Sequence, residues 1–172
     1  LSGFESGPEY RFVEHLNWLP QWGINYDLGI DGISLWLIIL STLLTPISLL
    51  GSWTSIDERV REFNIFILIL ESAMIGVFCA LDLFLFYVFW EAMLIPMYFL
   101  IGIFGHGRRI YAAVKFFLYT MAGSALMLVA FLVLYRETGA RSFDLRELTR
   151  ATIDPGMQMW LFLAFALAFA VK

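Results

Sequence analysis

The sequence predicts an all-α membrane protein: a polytopic transmembrane helix bundle with four full spans and one partial span. Three observations predict it. Hydrophobic residues make up 60% of the chain and charged residues only 15%, whereas a soluble domain carries about 25% charged residues. The apolar residues fall in blocks of roughly 16 to 26, the length a helix needs to cross a hydrocarbon layer about 30 Å thick. Most charges lie between the blocks.

Residues 1–29 contain Pro8, Pro20 and several glycines and read as an extramembrane loop, with a short interfacial piece carrying Trp18 and Trp22. Tryptophan favours the headgroup level. The bundle is expected over residues 30–172. Its first span, 33–56, has no charged residue, starts after Asp31 and Gly32, and is followed by the charged stretch from Asp57 to Glu62. The apolar run from Phe63 to Phe104 is too long for one helix and is divided by Asp82, giving spans 63–81 and 83–104 as a tight helical hairpin. Gly105 to Arg109 form a loop, and 110–135 is the fourth span. Residues 136–155 alternate charged and apolar positions, and Phe143, Leu145, Leu148 and Ile153 suit one side of a short surface helix. From Gly156 the apolar pattern is still running at Lys172, which predicts that 156–172 begins a fifth span that has been cut.

Composition also excludes functions. The net charge is −4 and the basic residues are scattered, so no basic stripe marks a nucleic-acid partner. The single cysteine, Cys79, has no internal disulfide partner, and the two histidines, His15 and His106, lie outside the apolar blocks; a haem or iron–sulfur centre held by this chain alone is disfavoured. The beginning has neither a start methionine nor the basic region and short apolar core of a signal peptide. Loop arginines do not orient the chain: Arg59, Arg61, Arg108 and Arg109 on one side face Arg11, Arg136, Arg141, Arg146 and Arg150 on the other.

Glu71, Glu91, Lys115 and Lys172 sit inside the apolar blocks. A charge at the bilayer centre costs about 2.5–3.5 kcal/mol on insertion scales, so such residues usually face a bundle interior and mark an ion or proton pathway. Glu91 follows Asp82 by nine residues, which places it about 13 Å deep, beyond snorkelling reach. Tyr87 and Tyr98 are expected on its helical face, and Pro96 frees the carbonyl of Ala92. Satisfaction by a neighbouring helix for packing alone is the other reading of Glu91. Lys115 is about 9 Å along its helix, where the side chain can bend back to the headgroups; yet Tyr111, Lys115, Tyr119 and Gly123, at intervals of four, are expected to share a face, and Ala122, Gly123 and Ser124 would admit a close helix. Lys172 follows Ala164 and Ala168 on a second seam of small residues. Glu71 has no evident partner in sequence.

A carboxylate and a lysine in dry surroundings can act as a switch. At about 4 Å and an effective dielectric of about 20 their attraction is about 4 kcal/mol, and moving one charge against 100–200 mV takes roughly 2–4 kcal/mol. These energies match in scale. While the carboxylate is near, the lysine keeps its proton; when it withdraws, desolvation favours release.

The run Phe89-Trp90-Glu91-Ala92-Met93-Leu94-Ile95-Pro96-Met97-Tyr98 resembles the glutamate-bearing helix of the antiporter-like proton-pumping subunits of respiratory complex I, those called chain M in bacteria and subunit 4 in mitochondria. Gly29 to Ser34, Gly76 to Phe84, Lys115 to Thr120 and Phe169 to Lys172 are similar to further segments of that family, so the resemblance runs from Asp27 onward. It implies that Glu91 is the helix glutamate, Lys172 the central lysine and Lys115 the lysine between them, all serving proton translocation. It implies no cofactor on this chain: NADH, FMN, iron–sulfur clusters and quinone would be bound by other subunits. The implied partners are the other membrane subunits of complex I, neighbouring antiporter-like subunits among them, with the lipid bilayer and protons. The implied location is the bacterial cell membrane or mitochondrial inner membrane, multi-pass, with residues 1–29 and 136–155 on the positive side.

Three other functions compete. A multi-subunit cation/proton antiporter shares the glutamate and lysine; Ile95-Pro96-Met97-Tyr98 favours complex I. A structural module would use its buried charges for assembly alone. A haem or quinone enzyme in its own right would need ligands that no span supplies.

Overall fold

The computed structural model describes residues 10–139 and 142–172. Residues 1–9 of the expected N-terminal loop and 140–141 of the expected surface loop lie outside the described residues.

The expected N-terminal loop contains a β-hairpin. Strand β1 (Arg11–Leu19) pairs antiparallel with β2 (Ile24–Ile30), placing His15 opposite Asp27 and Leu16 opposite Tyr26. A single 3-10 turn over Pro20–Trp22 joins them, and Gly23 closes it at φ 64°, donating its N–H to the Pro20 carbonyl. That backbone region favours glycine. A two-stranded hairpin is marginal alone, and this one is docked: Leu81 N–H donates to the Asp27 carbonyl at 2.9 Å, and Phe143 N–H to that of Gly23 at 3.2 Å.

Helix α1 (Gly32–Gly51) starts at a capping box. Ser34 N–H donates to Asp31 Oδ1 at 2.7 Å, and Asp31 N–H donates to Ser34 Oγ at 2.9 Å. The helix stops at Gly51, short of the expected Ile56, and residues 52–55 turn. Helix α2 (Val60–Cys79) returns across the bundle. Asp82 then caps helix α3 (Leu83–Ala92), accepting from Phe84 and Leu85 N–H at 2.9 and 3.0 Å. Helix α4 (Leu94–Phe104) continues the same span after an interruption at Met93. The bonds there are stretched, at 3.3 Å from Met93 N–H to Phe89 and 3.4 Å from Met97 N–H to Met93. Pro96, buried two residues into α4, removes a donor and crowds the preceding turn.

Helix α5 (Arg109–Glu137) has 29 residues, about 43 Å of helix. The surface helix expected over 136–155 shortens to α6 (Leu145–Leu148), capped by Asp144, with Phe143 and Leu148 turned inward. Helix α7 (Pro155–Val171) begins at an Asp154 cap with proline in its first turn. Among the described residues, four helical segments are long and apolar enough to cross a membrane, and α7 is shorter. The protein is a polytopic transmembrane helix bundle with a small β-hairpin at one end.

Small residues set the packing. A Cβ on Gly123 of α5 would lie 2.6 Å from Val171 of α7, and one on Gly76 of α2 would lie 2.5 Å from the Phe89 ring of α3. Each glycine lets a side chain of the neighbouring helix sit against its backbone. Around α5 the core gathers Ile24, Trp90, Met127, Phe131, Phe143 and Ala168. Phe143 stacks on Tyr135 at 4.3 Å, joining the hairpin end to α5.

Candidate functional site

Helix α3 presents Tyr87, Trp90 and Glu91 toward α5 and α7. The Asp82 cap fixes its start, and the Gly76–Phe89 contact fixes its distance from α2. Tyr87 lies within electrostatic reach of the Glu91 carboxylate and close to the Ser124 hydroxyl of α5. Glu91 is partly buried, and its Oε1 is buried without a hydrogen-bond partner among the described residues.

Lys172 follows α7, whose Ala168 is buried against the core. The lysine as a whole is exposed, yet its ammonium turns inward and donates to the Trp90 carbonyl at 2.9 Å. It also lies 4.7 Å from the centre of the Trp90 ring, and it is within electrostatic reach of Glu91. The carboxylate and the ammonium are therefore brought together without a direct ion pair among the described residues.

Lys115 is placed elsewhere. It is exposed on α5 beside Tyr111 and Tyr119, with its ammonium 5.9 Å from the Tyr111 ring. These residues line a shallow surface trough with Ala112 and Phe116. The intervals of four do not keep one face: a helix drifts about 40° per four residues. Gly123 is accordingly buried against α7 while Lys115 and Tyr119 face outward.

Tyr98, like Tyr87, is turned toward α5. It sits beyond the Met93 interruption and packs its ring edge-on against Phe117 of α5 at 5.9 Å. Glu71 is partly buried on α2. Trp90 was expected only as part of a motif, and the structure gives it both contacts to the lysine.

A second polar cluster ties the hairpin to the α2–α3 turn. Asp82 is fully buried and accepts from Asn25 N–H at 3.0 Å as well as from its own helix. Burial pushes its carboxyl up; the N–H groups of Asn25, Leu85 and Phe84 oppose this, and the neighbouring Asp27 adds to it. Buried Asp27 pairs with His15, and Arg146 lies 3.7 Å from its other oxygen. Burial alone would raise Asp144, but bonds from the Arg146 side chain and N–H hold it below the ordinary carboxylate range.

Comparison with known proteins follows the same division. The family described as NADH:quinone oxidoreductase/Mrp antiporter, TM matches residues 80–172, the stretch that contains Glu91, Lys115 and Lys172. The chain belongs to this family. The family described as NADH-ubiquinone oxidoreductase chain 4, amino terminus matches residues 11–80, which cover the hairpin, α1 and α2. The NADH-quinone oxidoreductase subunit M of Rhodobacter capsulatus is 47% identical, with 100% of this chain and 35% of that protein covered. The NADH-ubiquinone oxidoreductase chain 4 of Arabidopsis thaliana is 48% identical over 97% of this chain and 34% of its own length. Among solved structures, the respiratory complex I from Thermus thermophilus with bound NADH contains a chain similar at TM-score 0.83 and 34% identity, covering 95% of this chain and 34% of that one. An archaeal membrane-bound sulfane sulfur reductase shares the fold at TM-score 0.73 and 24% identity. This family member thus spans about a third of the length of its relatives.

Proposed function

We propose that the chain serves in a proton-translocating membrane subunit of NADH:quinone oxidoreductase, in which Glu91 and Lys172 hold and release the transported proton. The supporting observation is their placement: a partly buried carboxylate on α3 and a lysine ammonium at the end of the apolar helix α7, within electrostatic reach and out of direct contact. Their attraction grows as they approach and is stronger where screening is weak. With Glu91 close, the ammonium keeps its proton. With Glu91 more distant or neutralised, the dehydrated surroundings favour release.

Tyr87 and Ser124 extend the polar path from Glu91 toward α5. Lys115 is the third proton-carrying residue of this reading, the lysine between Glu91 and Lys172, and it stands on the outer face of α5. The redox cofactors, NADH, FMN, iron–sulfur clusters and quinone, are assigned to other subunits of the complex, and this chain contributes proton transfer alone. Its partners are the other membrane subunits, neighbouring antiporter-like subunits included. Its location is a bacterial cell membrane or mitochondrial inner membrane, with the hairpin end on the positive side.

A cation/proton antiporter subunit is the second reading, favoured by the description of the family over residues 80–172. The match of residues 11–80 to the chain 4 amino terminus supports complex I instead. Replacing Glu91→Gln in the intact complex tests the proposal: proton pumping and the quinone reduction coupled to it are expected to fall at least tenfold while assembly persists. Undiminished pumping would remove Glu91 from the mechanism, and copurification with antiporter subunits in place of flavin and iron–sulfur subunits would select the second reading.

A further inference from the structure

We propose that Trp90 is a positioning residue for proton translocation: its indole face and its carbonyl together hold the Lys172 ammonium beside Glu91 and keep the two from closing into an ion pair. The inference rests on the function proposed above and adds a residue to it.

The first observation is that one residue makes both contacts. The ammonium donates to the Trp90 carbonyl at 2.9 Å and lies 4.7 Å from the ring centre. A cation within about 6 Å of an indole centroid is attracted by the negative face of the ring, and tryptophan is the strongest of the aromatic partners. Because Glu91 follows Trp90 in the chain, a lysine held by Trp90 is held at a fixed remove from the carboxylate.

The second observation is how the ring is held. Trp90 is 8% exposed. Phe86 stacks on it at 5.5 Å, Phe169 of α7 meets it edge-on at 5.2 Å, and Phe86 leans in turn on Phe131 of α5 at 6.3 Å. Three helices therefore set its orientation. The third observation is that its indole N–H is buried without a partner among the described residues. A buried tryptophan ordinarily pairs that group; here the face, and not the N–H, is engaged. The titratable groups of this pocket are Glu91 and Tyr87 from α3, while α5 supplies the Ser124 hydroxyl.

A lysine in direct contact with the carboxylate would be locked by the full attraction of the pair. Attraction to an aromatic face and a carbonyl holds the ammonium without a second negative charge, so the proton stays transferable when Glu91 changes state.

The test uses the intact complex in membrane vesicles, with tryptophan at position 90 replaced by mono-, di- and trifluorinated tryptophan. Fluorine weakens the ring's negative face and barely changes its shape. The alkaline limb of the pH profile for proton translocation is expected to move stepwise to lower pH, by about one unit at the highest substitution, with assembly unchanged. Trp90→Phe is expected to be intermediate, and Trp90→Leu to show the full shift or more. An unmoved profile across the fluorinated series, with Glu91→Gln still abolishing pumping, would reduce Trp90 to packing and overturn the inference alone. Pumping that survives Glu91→Gln would instead overturn the function beneath it.

Discussion

A single methyl group decides the helix spacing at the site. Gly123 lies so close to Val171 that any Cβ there would meet it at 2.6 Å, and overpacking of this kind typically costs about 1–3 kcal/mol. Gly123→Ala is expected to lower the amount of assembled complex, with Val171→Ala in the same chain restoring much of it; quantitative immunoblots of native gels check both. Lys172→Gln is expected to reduce proton pumping more than Lys115→Gln, because only Lys172 shares a pocket with Glu91. Vesicle acidification rates normalised to assembled complex compare the two. At this scale the sequence was informative where a charge was expensive: Glu91 and Lys172 stood out from their apolar blocks. It was misleading where only spacing was available, since intervals of four suggested one face for Lys115 and Gly123, and helical drift separates them. Trp90 gave no signal of its own because an aromatic residue in a membrane helix is ordinary, and its role comes from a residue 82 positions away.

Helices were legible from hydropathy; the hairpin was not. Strands β1 and β2 hold their place through bonds to Leu81 and Phe143, distant in sequence, and Pro20 with Gly23 reads locally as a loop. Asp82 was recognised as a divider between spans, whereas its burial and its bond from Asn25 depend on the hairpin docking above it. The cap has an asymmetric response to acid. Asp144 is held below its ordinary value, so its contribution is present above the unfolded carboxylate value of about 3.9 and is lost as pH falls through the lower folded value. Asp82 is raised, so its charged form is a burden near neutrality that acidification through its folded value removes. Hydrogen exchange at the β2 amides is therefore expected to stay slow, or become slower, as pH drops from 7 to about 5, and to accelerate below about 4. Asp144→Asn is expected to remove the low-pH acceleration, and Asp82→Ala, which leaves α3 uncapped, to speed exchange at every pH.

The whole bundle is built around α5. In its most apolar window 33% of positions are buried inside the chain, against 11% for α1 and for α2. Trp36, Leu40, Leu44 and Ile47 of α1 face outward, a surface stable only against lipid or other membrane helices. Leu40→Lys is accordingly expected to reduce membrane insertion, by about 2.5–3.5 kcal/mol on translocon scales, whereas Leu40→Ile is silent; glycosylation-mapping of inserted chains reads both. The interruption at Met93 matters at this scale as well. Above it, α3 is bolted to the hairpin through Asp82 and to α2 through Gly76; below it, α4 starts afresh at a proline-distorted joint. A tug on the lower half-span is absorbed at the joint like a load at a knuckle, which leaves the upper half-span, with Trp90 and Glu91 on it, where the hairpin and α2 hold it.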